Sequence, residues 1–165
     1  MSVTGLIHTM NQMIQIHQTL LELSQQKTSI LVANQVDKLN QIVNKERNII
    51  KEIKELDNRR IDEINEFLLE KGYKPNPKIT IEDFSKLIFK ADEKHSIKEA
   101  QEKLLRIIGK LKEHSQLNQS LIEQSLAFIE YSLDIVLGPP EDEVVYHKPL
   151  QQQNMKRSGI FDRRA

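Results

Sequence analysis

IKEAQEKLLRIIGKLKEHSQLNQSLIEQSLAFIEYSLDI, residues 97–135, keeps one seven-residue register for more than five heptads. Its first half places Ile97, Ala100, Leu104, Ile107, Leu111 and His114 at alternating spacings of three and four. Its second half continues with Asn118, Leu121, Ser125, Phe128, Ser132 and Ile135. At about 3.6 residues per turn these positions form one slowly winding stripe, the seam along which a helix packs lengthwise on another. The stripe is aliphatic up to Leu111 and mixed beyond it. A helix that packs well in one half and poorly in the other has its second half to offer to a partner. Leu137-Gly138-Pro139-Pro140 ends the helix, which is expected over residues 96–137.

Working outward, Leu6, Met10, Met13, His17 and Leu20 share a helical face that Ile16, Leu23, Lys27 and Ile30 continue. A first helix is expected over 3–32. Ala33-Asn34-Gln35 breaks the pattern, and Asp37 offers a carboxylate as N-cap for a second helix over 37–71. That helix carries Leu39, Ile42, Glu46, Ile49, Ile53 and Leu56 on a seam, then shifts register through Arg60 to Ile64 and Phe67. Gly72 is the expected left-handed residue at its end, with Pro75 and Pro77 beyond. So short a turn makes the first two helices a hairpin, 3–71. Thr80-Ile81-Glu82-Asp83 resembles a capping box and opens a short helix expected over 81–90. The fold class is all-α: an elongated antiparallel helical bundle or coiled coil, one domain over residues 1–137. The segment 138–165 is too polar to offset its ordering entropy and is expected to be a disordered tail. Its apolar islands, Val144-Val145-Tyr146 and Ile160-Phe161, belong to a frayed terminus, dock on a partner or fold back on the helices.

Composition excludes several function classes. Aromatic residues make up 5% of the chain and Trp is absent, which suits long helices rather than a sheet protein. Lys plus Arg equals Asp plus Glu at 24 each, so no global field gathers nucleic acid. Cysteine is absent, which removes disulfides and thiolate metal sites and agrees with a reducing cytoplasm. Asn11, Gln12, Gln15 and Gln18 interrupt the first helix every turn, so neither a signal peptide nor a membrane span is expected.

Chemistry is sparse. His8 and His17 stand more than two turns apart, and His114 has no carboxylate three or four residues away, so no metal is expected. His95-Ser96-Ile97-Lys98 resembles the His and Lys spacing of helical phosphotransfer domains. Glu99 stands where such domains have Gly, and would repel a phosphoryl group, so His95 reads as part of a solvated first turn. There is no phosphate loop, nucleophile elbow or carboxylate pair at apolar positions, and neither catalysis nor a cofactor is expected. The Glu residues alternate with Lys, as in Lys51-Glu52-Ile53-Lys54-Glu55, and read as exposed solubilising pairs.

Three segments together resemble the helical hairpin of the FlgN family, flagellar export chaperones for hook-associated proteins. They are Leu20-Leu21-Glu22-Leu23, the break leading to Val36-Asp37-Lys38-Leu39, and Lys45-Glu46-Arg47-Asn48-Ile49-Ile50. Leu117-Asn118-Gln119-Ser120-Leu121 and the terminal Phe161-Asp162-Arg163-Arg164-Ala165 are similar to that family as well. The resemblance implies a late helix that holds the C-terminal helical segment of hook-associated proteins before export through the flagellar type III apparatus. The face it implies is Leu117, Leu121, Phe128, Tyr131 and Ile135, with Tyr146, Ile160 and Phe161 as tail contacts. The rival is a coiled-coil scaffold or tether whose homodimer fills the same seam; monomer and homodimer both remain open.

Overall fold

The computed structural model describes residues 3–138, and every element among them is a helix: α1 (Val3–Val32), α2 (Val36–Glu70), α3 (Ile81–Lys86) and α4 (Ala91–Leu137). The chain divides into two units, residues 1–128 and residues 129–165, so the last turns of α4 fall in the second. The tail expected over 138–165 lies outside the described residues except for Gly138, whose φ of +81° closes α4.

The hairpin follows from its turn. Asn34 takes a φ of +54°, donating its N–H to the Leu31 carbonyl, while the Gln35 N–H reaches the Ile30 carbonyl. That is the Schellman arrangement, with asparagine standing where glycine is commonest. Gln35 is thus tied to the end of α1 while its own carbonyl accepts the first bond of α2, from the Leu39 N–H. The helix begins so early that Asp37 is not its cap, contrary to expectation. No side chain caps α2, and Asp37 sits in the first turn, where its charge opposes the positive end of the helix dipole. At the far end the Schellman pattern repeats, with Gly72 at φ +79° donating to Leu69 and Tyr73 donating to Leu68. Replacing Asn34 with a β-branched residue is expected to lower stability by about 1–2 kcal/mol, and with glycine to leave it equal or higher. Chemical denaturation of N34I and N34G checks both; equal midpoints would mean the turn does not fix the hairpin.

α1 and α2 pair antiparallel, with Thr9 opposite Glu63 and Lys27 opposite Glu46. Their expected seams are buried or half-buried throughout, including the shifted part of α2 from Arg60 to Phe67. Within the first unit α4 lies parallel to α1. Ile97 and Ala100 join the cluster that contains Val3, Leu6 and Met10, and Asn118 bonds to Ser24 and Thr28.

The core is concentrated at one end, where Val3, Leu6 and Met10 of α1 meet Ile64 and Leu68 of α2, Ile79, Phe84, Ile88 and the start of α4. Phe84 packs edge-on against Phe67, ring centroids 5.1 Å apart. Thr80 caps α3 by accepting the Asp83 N–H, as its sequence suggests. The Asp83 carboxylate accepts the Thr80 hydroxyl rather than the backbone amide of a reciprocal capping box. That bond, and then the nearby Lys86 ammonium, hold its pKa below the ordinary carboxylate value.

Two boundaries differ from expectation. α3 stops at Lys86 instead of 90, because the N–H groups of Leu87 and Ile88 turn back three residues to Phe84 and Ser85 and close the helix. α4 begins at Ala91 rather than 96, its first bond running from the Lys94 N–H to the Lys90 carbonyl. Asp92 and Glu93 in the first turn complement the dipole there, and Lys90 pairs with Glu93 at 3.0 Å.

Candidate functional site

Burial along the α4 seam falls off with distance from the core. Ile97 and Ala100 are buried; Leu104, Ile107, Leu111 and His114 are half-buried. Asn118 is then only 4% exposed. Its amide donates to the Ser24 carbonyl at 3.0 Å, and its oxygen accepts the Thr28 hydroxyl at 2.6 Å. A buried polar residue whose bonds are met only in one alignment fixes how α4 slides along α1. His114, the other polar seam residue, has a buried Nδ1 with no hydrogen-bond partner among the described residues.

Beyond Asn118 the seam opens. Leu121 and Ser125 are half-buried, but Phe128 is 69% exposed. The Asn118–Ser24 pairing explains why: α1 ends at Val32, which in that alignment stands level with Leu126. The sequence places Phe128 on the seam, where its loss would lower stability by a few kcal/mol if it were buried. At 69% exposure that condition is not met, and its truncation is expected to cost much less. In the second unit, taken by itself, Tyr131 is 64% and Ile135 66% exposed.

The five expected site residues thus fall into three conditions: Leu121 half-buried, Leu117 partly exposed, and Phe128, Tyr131 and Ile135 open to solvent. Leu117, Leu121 and Phe128 belong to the first unit, and Tyr131 and Ile135 to the second. Sequence reasoning missed the exposure of Leu126 in the first unit and, in the second taken by itself, of Ile129, Leu133, Val136 and Leu137. Tyr146, Ile160 and Phe161 lie outside the described residues.

Away from this face, not every carboxylate behaves as a solubilising charge. Glu63 is buried, taking the Thr9 hydroxyl at 3.0 Å and the Arg59 guanidinium at 3.2 Å. Its place one residue before Ile64 was the available signal. Lys27 and Glu46 meet at 2.9 Å, both mostly covered. His17 is buried with its Nδ1 2.6 Å from the Met13 carbonyl, an ordinary bond within one helix. His95 is exposed, and Glu99, one turn on, pairs with Lys103 at 2.8 Å. The Lys103 ammonium holds the Glu99 carboxyl below its usual range, so negative charge stands beside His95 where a phosphoryl group would need none. Among the described residues no group of three or more His, Asp or Glu side chains converges as a metal site, and no helix is long and apolar enough to cross a membrane.

The chain is 31% identical over 169 residues to the uncharacterized protein YvyG of Bacillus subtilis (strain 168), with the whole of both chains covered. No solved structure matches it. The model of the FlgN protein family matches residues 1–154, taking in the hairpin, α3 and all of α4. With a family match over nearly its full length, the chain belongs to the FlgN family of flagellar export chaperones.

Proposed function

We propose that this chaperone binds the C-terminal helical segment of hook-associated proteins in the cytoplasm, one to one. It keeps that segment from assembling early and hands the cargo to the flagellar export apparatus. The observation that supports this most is the exposure of Phe128 at the end of the first unit and, in the second taken by itself, of Tyr131 and Ile135. Aromatic and aliphatic side chains at helical spacing are the anchors of helix-in-groove recognition. Binding needs no nucleotide, metal or bond chemistry: apolar surface on the cargo segment is covered by apolar surface here, and release reverses it.

Tyr131→Ala is expected to weaken cargo binding by about 1–3 kcal/mol, the range of a central aromatic anchor. Its helicity and melting temperature should not change, because the side chain is largely in solvent. Phe128→Ala is expected to behave the same way. Isothermal titration with purified hook-associated proteins, alongside circular dichroism, reads both properties. Unaltered affinity in both variants would move the binding face elsewhere.

A further inference from the structure

A trough runs between α2 and α4 in the first unit. Its two connected hollows, about 490 and 530 Å³, share Ile108. Met13 and Leu20 of α1 form the floor, Ile50 and Ile61 stand on the α2 side, and Pro77–Ile81 closes one end. On the α4 side the wall is a second heptad stripe, offset by one residue from the packed seam. Leu105 and Ile108 open it, Lys112, Ser115 and Gln119 follow, and Ile122 ends it, all at spacings of three and four, a pattern that Leu126 continues beyond the trough. Leu105, Ile108 and Leu126 are exposed although they repeat like core residues. A helix with two such stripes is built to pack on two sides, and the hairpin covers only one.

We infer that this trough is a docking site for one amphipathic helix of a partner, lying between α2 and α4 and completing a four-helix layer. From Leu105 to Ile122 the wall is about 26 Å long at about 1.5 Å per residue, room for roughly five turns. Charge sets the partner's chemistry. Two charge pairs lining the trough are closed, Lys27 with Glu46 and Asp57 with Arg60, each at 2.9 Å, while Lys78 at the Pro77–Ile81 end is exposed and has no ion pair among the described residues. Lys112 is exposed in the middle of the stripe and has no ion pair among the described residues. The occupant therefore carries an aliphatic seam with a carboxylate at its centre, facing Lys112, and a second at the end that meets Lys78. A second copy of this chain fits poorly. In parallel pairing of the two stripes Lys112 would meet Lys112. This site is separate from the Phe128–Tyr131 flank and does not depend on the cargo proposed above.

The test uses the full chain and a labelled synthetic helical peptide of about 21 residues, with leucine at seam spacing and glutamate at its centre. A matched peptide has lysine at the centre. Fluorescence anisotropy is expected to show the glutamate peptide binding about tenfold tighter than the lysine peptide, and Lys112→Glu to reverse that order. Leu105→Asp, at an exposed position, should weaken both peptides at least about tenfold without loss of helicity. Methyl signals of Ile50, Ile108 and Ile122 should move on binding. A saturating hook-associated cargo segment should not displace the peptide. Absence of binding, indifference to Lys112→Glu, displacement by cargo, or dissociation of a pre-existing dimer by the peptide would each overturn the inference.

Discussion

Replacing Phe84 with alanine is expected to remove about 3–5 kcal/mol of unfolding free energy, the range for a buried phenylalanine whose cavity cannot collapse. Phe84 is 1% exposed and is the largest fully buried side chain. It comes from a helix of six residues that has little stability of its own. Its ring against Phe67 joins α3 to α2, in the same cluster as Ile97 at the start of α4. Loss of the ring therefore weakens the seat of α4 as well as the core. Urea unfolding of F84A measures it: a change below about 1 kcal/mol would mean that α3 is not docked in solution.

The second large effect concerns the buried carboxylate. Thr9→Val removes the hydroxyl that Glu63 accepts at 3.0 Å, and the other carboxylate oxygen already lacks a partner among the described residues. A hydrogen bond to a charged group contributes about 1.5–3 kcal/mol, and the valine variant should lose about that. Glu63→Leu in the same background should recover most of the loss, since an apolar pair of similar volume needs no desolvated charge. A double-mutant cycle on Thr9 and Glu63 separates the pair from its surroundings. If Thr9→Val proves neutral, Arg59 alone satisfies Glu63.

Periodicity made most of this fold legible. The seams of α1, α2 and α4 are runs of three-and-four spacing, and long helices leave few other ways to bury them. The turn at Ala33-Asn34-Gln35 and the stop at Gly72 were visible because left-handed backbone favours Asn and Gly. Asp37 misled because cap preference is local, whereas the start of α2 is set by where α1 ends. α4 starts at Ala91, ahead of the expected 96, with Asp92 and Glu93 complementing its dipole in the first turn. Glu63 gave a weaker signal, since a charge beside an apolar seam is usually solvated.

For the candidate face, sequence showed that the late seam was poor in aliphatic residues but not how the helix was covered. Asn118 looked like a defect and is instead a buried, bonded register lock. Phe128 looked like core and is exposed. The second stripe was hidden because each of its residues, read singly, is an ordinary surface leucine or isoleucine. Only the hollow between α2 and α4 shows that they form one wall.

The most direct measurement is calorimetric titration of the full chain, and of the Phe128→Ala/Tyr131→Ala double variant, with a purified hook-associated protein and with the same protein lacking its C-terminal helical segment. One-to-one binding without nucleotide is expected for the intact cargo. It should be lost on deleting the segment and weakened at least about tenfold in the double variant, with helicity unchanged. Equal affinity for intact and truncated cargo, or full affinity in the double variant, would contradict the proposal that this flank of α4 holds the cargo.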